Sequence, residues 1–405
     1  DEGLPGELVE VEVLKERKNY SEARTIRILE SSSDRLKPAC SHYLACSPYQ
    51  VMPYELELKI KGQQLQEIFR QFLGKVINSI NFIPARVIAG YRNKIKLNID
   101  WASQPPTLAY HQPGSTVEMI PVDYCHLVSE EVNKVIAKMN NLLLGPALPG
   151  IQNLEIKQSF WRQEILLIFY ALEETSLEPV TKLWLPALTQ KSPVVGAVGV
   201  VPRRNKPHFI NLYGKDYLEE KINQTIFRYG AGSFFQVNPA MLEKVIERIQ
   251  DYLKALGPVK LADLYAGLGT FGLLLAAEAS EILAVESEPA NIYYLKKNLK
   301  INGIQHLTVA EGKTEDWLEQ VLDFRPQVVI LDPPRKGLSG KIISAFKEQV
   351  VELIFYLSCN PTTQARDLPL FQPEYRTVEI TAFDFFPRTA HLETLAVLKP
   401  ELKPH

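Results

Sequence analysis

A chain of 405 residues with 46% hydrophobic and 23% charged side chains has room for two or three domains. Its composition is that of an ordinary globular protein, which excludes a disordered, collagen-like or small disulfide-stapled one. Lys+Arg 45 against Asp+Glu 47 gives a net charge of -2, so no global positive field announces a nucleic-acid partner, and such contact needs a local basic face. Four cysteines make no disulfide framework and point to a reducing, cytosolic setting. No signal peptide opens the chain, and the charge-free stretch Leu264 to Ala277 is too short to span a bilayer. The sequence starts at Asp1 rather than methionine, so further residues are expected upstream.

Residues 1–36 read as a small β unit: Glu7 to Leu14 alternates around valines, Thr25 to Leu29 gives a second short strand, and Ser31-Ser32-Ser33-Asp34 closes it as a linker. Two strands alone are marginally stable, so the unit either docks on the rest or continues in strands outside this sequence. Residues 37–225 read as a mixed α+β central domain. Leu58, Leu65, Ile68, Phe69 and Phe72 fall on one face of a helix; a second helix starts at the N-cap Ser129 and runs through Val132, Val135, Ile136, Met139 and Leu143. The apolar run Ile165 to Leu172 reads as a buried strand, and Pro202-Arg203-Arg204-Asn205-Lys206-Pro207 as a basic loop, either a solvated turn or an RNA contact.

From residue 226 to 405 the pattern alternates. Asn238 followed by Pro239 caps a helix that continues to Leu253, and Pro289 to Lys300 forms another. Strands are expected at 261–265, 281–286, 307–310, 327–331, 351–357, 376–382 and 392–398. The fold class is therefore α/β, an open and mostly parallel sheet covered on both sides.

The first strand of this half runs into Gly267-Leu268-Gly269-Thr270-Phe271-Gly272, and the next ends at Glu286, about 20 residues on, where a carboxylate can accept from ribose hydroxyls. A structural tight turn would explain the glycines alone; strand, turn, helix and terminal acid together favour an adenosine-type cofactor. The motif does not by itself separate a nicotinamide cofactor from S-adenosylmethionine. Val328 to Leu331 then delivers Asp332-Pro333-Pro334-Arg335 to the carboxyl edge of the sheet, an arrangement suited to orienting a flat heterocycle. Leu353 to Leu357 brings Ser358-Cys359-Asn360-Pro361 to the same edge. There Cys359 is either a small buried hydrophobe or a thiolate nucleophile. Glu393 is the best second catalytic group, unless it is a solvent-facing strand position, and His391 is as readily an orienting residue as a catalyst.

The segments SFFQVN (233–238), DLYAGLGTFG (263–272), DPPRKG (332–337), SCNPTTQARD (358–367) and FPRTAHLETL (386–395) closely resemble, in order, the RNA uracil-C5 methyltransferases. The resemblance implies a Rossmann-like class I domain, S-adenosyl-L-methionine as methyl donor, and an RNA partner contacted by a monomeric cytoplasmic enzyme without a membrane. LPGELVEVEV resembles the latter part of a TRAM domain, an OB-like RNA-binding barrel, here partial. By family position, Gln236, Tyr265, Gly267, Gly269, Glu286 and Asp332 surround the methyl donor or its neighbouring base, and Arg335 and Asp332 meet the substrate. Thr270 replaces a frequent asparagine and inherits no contact. In the implied mechanism Cys359 attacks C6 of uracil, C5 takes the methyl group, and Glu393 removes the C5 proton. Ribosomal RNA (23S) is favoured over tRNA because TRAM-like and cysteine-site features accompany many rRNA-processing members; tRNA is the alternative.

Cys40, Cys46 and the distant Cys125 match the family's four-cysteine iron–sulfur site, whose third position in C-x5-C-x2-C is here Tyr49. A [4Fe–4S] cluster ordinarily takes four thiolates, so one iron would need Tyr49, His42, His126 or water; otherwise the cysteines pack as small apolar residues. Two other function classes remain: a nicotinamide-dependent oxidoreductase, resting on GLGTFG and Glu286, and a non-enzymatic RNA-binding module, which leaves Cys359 and Glu393 without a role.

Overall fold

The computed structural model describes residues 3–18, 20–74, 80–204 and 206–401. From Val259 onward the valine- and leucine-rich runs form strands buried on both faces, as a sheet sheathed by helices requires. Eight strands lie in the spatial order Leu307–Glu311, Ala279–Glu286, Val259–Leu264, Val328–Leu331, Leu353–Ser358, Glu393–Pro400, Tyr375–Phe383 and Asn81–Ile83. The first five are parallel, and Glu393–Pro400 is antiparallel to both neighbours. Each strand expected in this half is present to within two residues. Chain order reverses beside Val259–Leu264, and at such a switch point the carboxyl ends of the strands open a crevice for a ligand.

Side-chain alternation splits the core into two layers. Leu261, Ile282, Val328 and Phe355 pack with Leu242, Val245 and Ile249 of the helix Pro239–Leu253. Ala262, Val285, Val329 and Tyr356 pack on the other face with Leu65 and Phe69 of the helix Tyr54–Leu73. The first of these helices is capped as expected, with Asn238 Oδ1 accepting from the Met241 amide at 3.3 Å.

The helix Tyr54–Leu73 differs from the sequence reading. Its buried face is Glu57, Lys61, Leu65 and Phe69, whereas Phe72 is 42% exposed and Leu58 and Ile68 are half-buried. Apolar periodicity skipped the two charged residues, but Lys61, paired with Glu57 on its own helix and with Asp384 across the interface, rotates the stripe onto an i, i+4 row. This helix and the strand Asn81–Ile83 fall within 37–225 in sequence, yet both pack on the parallel sheet of the second half.

The rest of 37–225 forms a seven-stranded sheet in the order His208–Gly214, Val194–Val201, Ile165–Ala171, Ile151–Gln158, Lys94–Asp100, Thr107–His111 and Met119–Pro121. The expected buried strand lies near its centre, and the helix Glu130–Leu143, capped by Ser129 through the Val132 amide, covers it. At the N-terminus Leu8–Glu16 pairs with Ser21–Glu30 as a largely exposed hairpin. Glu7 pins its base: the carboxylate accepts from the amides of Leu4 and Ser32 and from the Arg35 guanidinium, while Leu4 packs on Val51 and Met52. Among the described residues no helix is long and apolar enough to cross a membrane.

Candidate active site

At the carboxyl end of Val259–Leu264 the backbone turns left-handed three times within five residues, at Tyr265 (φ 65°), Gly267 (φ 59°) and Gly269 (φ 80°). A Cβ built on Gly267 meets nothing within 4 Å, so that face of the turn is open, whereas one on Gly269 lies 3.1 Å from Leu273 and Leu295. Gly267 is therefore shaped for a ligand and Gly269 for helix packing. Glu286 ends the neighbouring strand and accepts from the amides of Gly267, Ser287 and Glu288 at 2.7, 2.8 and 2.6 Å. It thus braces the turn, with carboxylate lone pairs still able to accept ribose hydroxyls. Asp263, which sequence reasoning did not single out, accepts the Gly272 amide at 2.8 Å through Oδ2 and holds the helix start against the strand. Burial, opposed by that hydrogen bond, pushes its carboxyl up to about 7.

Four candidate side chains meet on the same edge. Asp332 follows Val328–Leu331 and donates its amide to the Leu264 carbonyl, next to Tyr265. Cys359 follows Leu353–Ser358, whose last pairing with Glu393–Pro400 is Ser358 to Thr394, so Cys359 and Glu393 stand opposite one another one step further out. The cysteine lines a cleft of about 270 Å³ together with Arg335, His391, Lys61 and Gln64. Glu393 is buried rather than solvent-facing, being 5% exposed. Burial first, then the charge of Asp332, holds its carboxyl well above the usual range, with Arg335 opposing. Burial and then the Glu393 carboxylate push the Cys359 thiol up, and again Arg335 opposes. Burial lifts Asp332 to about 7, helped by Asp263. Burial and then Arg335 lower the His391 imidazole. Arg335 is thus the cation that favours both the thiolate and the carboxylate.

Gln364 ties the two strand ends together, its Nε2 donating to the carbonyls of Tyr356 at 2.7 Å and Thr394 at 3.1 Å. The DPPRKG and SCNPTTQARD segments are also one unit. Asn360 Nδ2 donates to the Arg335 carbonyl, and Asp367 accepts from the Leu338 amide and the Tyr356 hydroxyl.

A second group was missed. Lys61 Nζ donates at 2.7 Å to both Glu57 and Asp384 in a fully buried cluster, and at 3.3 Å to the Phe386 carbonyl. Tyr54 donates to Asp384 at 2.6 Å, Glu57 accepts the Arg388 amide at 2.8 Å, and Tyr91 donates to the Pro387 carbonyl. This lattice fixes residues 384–389, the approach to His391 and Glu393, and holds Arg388 at φ 68°. Its sequence signal was an acid and a lysine four apart on an otherwise apolar face.

Of the remaining expectations, Gln236 is buried, and its carbonyl accepts Asn93 Nδ2 at 2.9 Å. In the loop 202–207, Asn205 lies outside the described residues, and Arg203 pairs with Glu174 at 3.4 Å on the surface. Two of the three cysteines meet a histidine: His42, Cys46 and Cys125 bring their ligand atoms within 4.8 Å of one another, with Cys40 outside that group. Tyr49 is turned away, with its hydroxyl at Gln64 and its ring beneath Lys61. The four thiolates that a [4Fe–4S] cluster ordinarily takes are not present here, since this region holds only Cys40, Cys46 and Cys125, and the described group joins His42 to Cys46 and Cys125.

The sheet order, the glycine turn at the switch point and the acidic edge together define a Rossmann-like, class I methyltransferase fold. The chain belongs to the tRNA (uracil-5-)-methyltransferase family, whose model matches residues 53–401. It is 30% identical over 419 residues to an uncharacterized RNA methyltransferase of Caldanaerobacter subterraneus, covering 98% of this chain and 91% of that one. It is 28% identical over 424 residues to an uncharacterized RNA methyltransferase of Clostridium acetobutylicum, again covering 98% and 91%. Among solved structures it resembles the Pyrococcus abyssi tRNA (uracil-54, C5)-methyltransferase in complex with S-adenosyl-L-homocysteine, with TM-score 0.76 and 22% identity over 98% of this chain and 94% of that one. These findings make the chain an RNA methyltransferase and give the oxidoreductase alternative no support.

Proposed function

We propose that this enzyme methylates C5 of a uridine in RNA through a covalent Cys359–uracil adduct, with Glu393 as the base. The observation that carries the reading is the placement of Cys359 opposite Glu393 on the edge that also holds the open glycine turn. S-adenosylmethionine would be held at the open Gly267 turn, which Gly269 shapes by packing on the helix, with Glu286 at its ribose, and would supply an electrophilic methyl group. Uracil C5 is a poor nucleophile until the Cys359 thiolate adds to C6 and its electrons pass to C5 and O4. A new C5–methyl bond then forms while the sulfonium–methyl bond breaks. Glu393 next removes the C5 proton, the C5–C6 double bond returns, and the thiolate leaves. Arg335 and Asp332 frame the base, and the target uridine has to leave any stack or pair to reach the cleft.

The rRNA reading rests on the TRAM-like strands of 1–36 and the cysteine cluster, with 37–225 as the RNA-contacting stretch and 226–405 as the catalytic one. The tRNA reading is favoured by the family's description and by the likeness to the Pyrococcus abyssi enzyme. Incubation with labelled methyl donor and separate rRNA and tRNA pools, followed by mapping of 5-methyluridine, tests the reaction and chooses the RNA. Label on neither pool overturns the function proposed.

A further inference from the structure

We propose that Cys40, His42, Cys46 and Cys125 hold one tetrahedral metal ion of the zinc or ferrous class, with His42 as a ligand, and not a four-iron cluster. The first observation is spacing. A tetrahedral ion with bonds of about 2.3 Å to sulfur and about 2.0–2.1 Å to imidazole places its ligand atoms roughly 3.5–3.8 Å apart. His42, Cys46 and Cys125 present theirs within 4.8 Å of one another, close to that arrangement, and Cys40, outside that group but in contact with His42, is the fourth ligand that would close on the ion. In a cubane each thiolate caps its own iron at a separate corner, which spreads the ligand atoms further. The second observation is the setting of His42. It is 1% exposed, and its ring hydrogen-bonds with the sulfurs of Cys125 and Cys40, while Nε2 has no nitrogen or oxygen partner among the described residues. A buried imidazole whose polar neighbours are thiols is placed as a metal ligand would be.

The surroundings support thiolates. Gln50 Nε2 donates to Cys40 Sγ at 3.3 Å and to Ser47 Oγ at 2.6 Å, and Ser47 Oγ is 3.2 Å from Cys46 Sγ. Asn133 fixes Cys125 by accepting its amide and donating to its carbonyl. Such outer-shell hydrogen bonds orient ligands and set their basicity. Three thiolates and one imidazole form an ordinary closed structural zinc set, and this softness selects zinc or iron over magnesium or calcium. The ion would join residues 40–46 to the loop before the helix Glu130–Leu143. The adjoining residues 49–57 meet the catalytic loop: the Tyr49 amide donates to the Arg388 carbonyl, and Arg388 Nη1 donates to the Met52 carbonyl.

The test reads metal, not turnover. Full-length protein purified anaerobically is analysed for zinc, iron and acid-labile sulfide, then stripped and titrated with cobalt(II). The expected result is one ion per chain, no sulfide, and the intense visible bands of tetrahedral cobalt. His42→Ala should weaken cobalt binding by more than the roughly 10–100-fold that loss of an outer-shell partner costs. His42→Cys should retain one ion, and Tyr49→Phe should bind as the parent does. Four irons with four sulfides per chain, no stoichiometric ion at all, or unchanged affinity in His42→Ala would each overturn the proposal.

Discussion

Cys359 and Glu393 face each other across two antiparallel strands, one step beyond the Ser358–Thr394 pair, and the Glu393 carboxylate raises the proton affinity of the Cys359 thiol. A nucleophile and a base on separate flexible loops would need ordering for every turnover. Here Gln364 bolts the two strand ends together. Gln364→Ala should therefore lower kcat while leaving binding of S-adenosylhomocysteine unchanged, as steady-state kinetics and calorimetry would show. A loss confined to cofactor affinity would contradict this.

Activity should rise with pH past neutrality. Burial lifts both the Cys359 thiol and the Glu393 carboxyl, and the mechanism uses both deprotonated, so each shift moves the active fraction toward alkaline pH. Arg335 opposes both shifts. Arg335→Gln should displace the kcat/KM profile further toward alkali as well as lowering it; a profile that only scales down would assign Arg335 to substrate binding alone.

The glycine turn separates affinity from stability. Gly267→Ala puts a methyl group into open space on a left-handed residue, costing roughly 1–2 kcal/mol of backbone strain. The variant should fold, with S-adenosylhomocysteine binding weakened by at least about 10-fold, or 1.4 kcal/mol. Binding at parental affinity would remove Gly267 from the cofactor site.

Lys61 is the centre of a buried three-charge cluster that fixes the catalytic loop. Lys61→Met leaves Asp384 without its cation and Glu57 with only Arg388, at 3.6 Å, and should cost about 3–5 kcal/mol in urea unfolding. Adding Glu57→Gln and Asp384→Asn should restore much of that stability but not kcat, because the hydrogen bonds that shape residues 384–389 are gone.

The N-terminal hairpin should detach in acid. The Arg35 guanidinium holds the Glu7 carboxyl down to about 2 from its ordinary 4.5. A depressed carboxyl stabilises the folded form above its unfolded value, and this contribution fades as pH falls from about 4.5 toward 2. Amide exchange at residues 8–30 should therefore quicken in that window before the sheets respond, and at neutral pH in Glu7→Gln.

The parallel half was legible because buried strands and their glycine and proline punctuation are local signals, and five short motifs ordered the edge. The long helix was legible in existence but not in facing. Glu57 and Lys61 look like surface residues until Asp384, more than 300 positions away in sequence, is seen to join Lys61 in a buried cluster. The same distance hid the contribution of residues 54–83 to the second half's sheet. His42 was one of several candidates to complete the cysteine cluster; only the fold turns Tyr49 away and leaves the histidine facing sulfur.

Intact-mass analysis of Glu393→Gln after incubation with S-adenosylmethionine and a uridine-containing RNA substrate is the most direct test of the covalent mechanism. Turnover should fall roughly 10²–10⁴-fold. A methylated RNA adduct should accumulate on the protein through residue 359 and vanish in the Cys359→Ala, Glu393→Gln double variant. Normal turnover in Cys359→Ala, or an inactive Glu393→Gln enzyme that carries no adduct, would contradict the account.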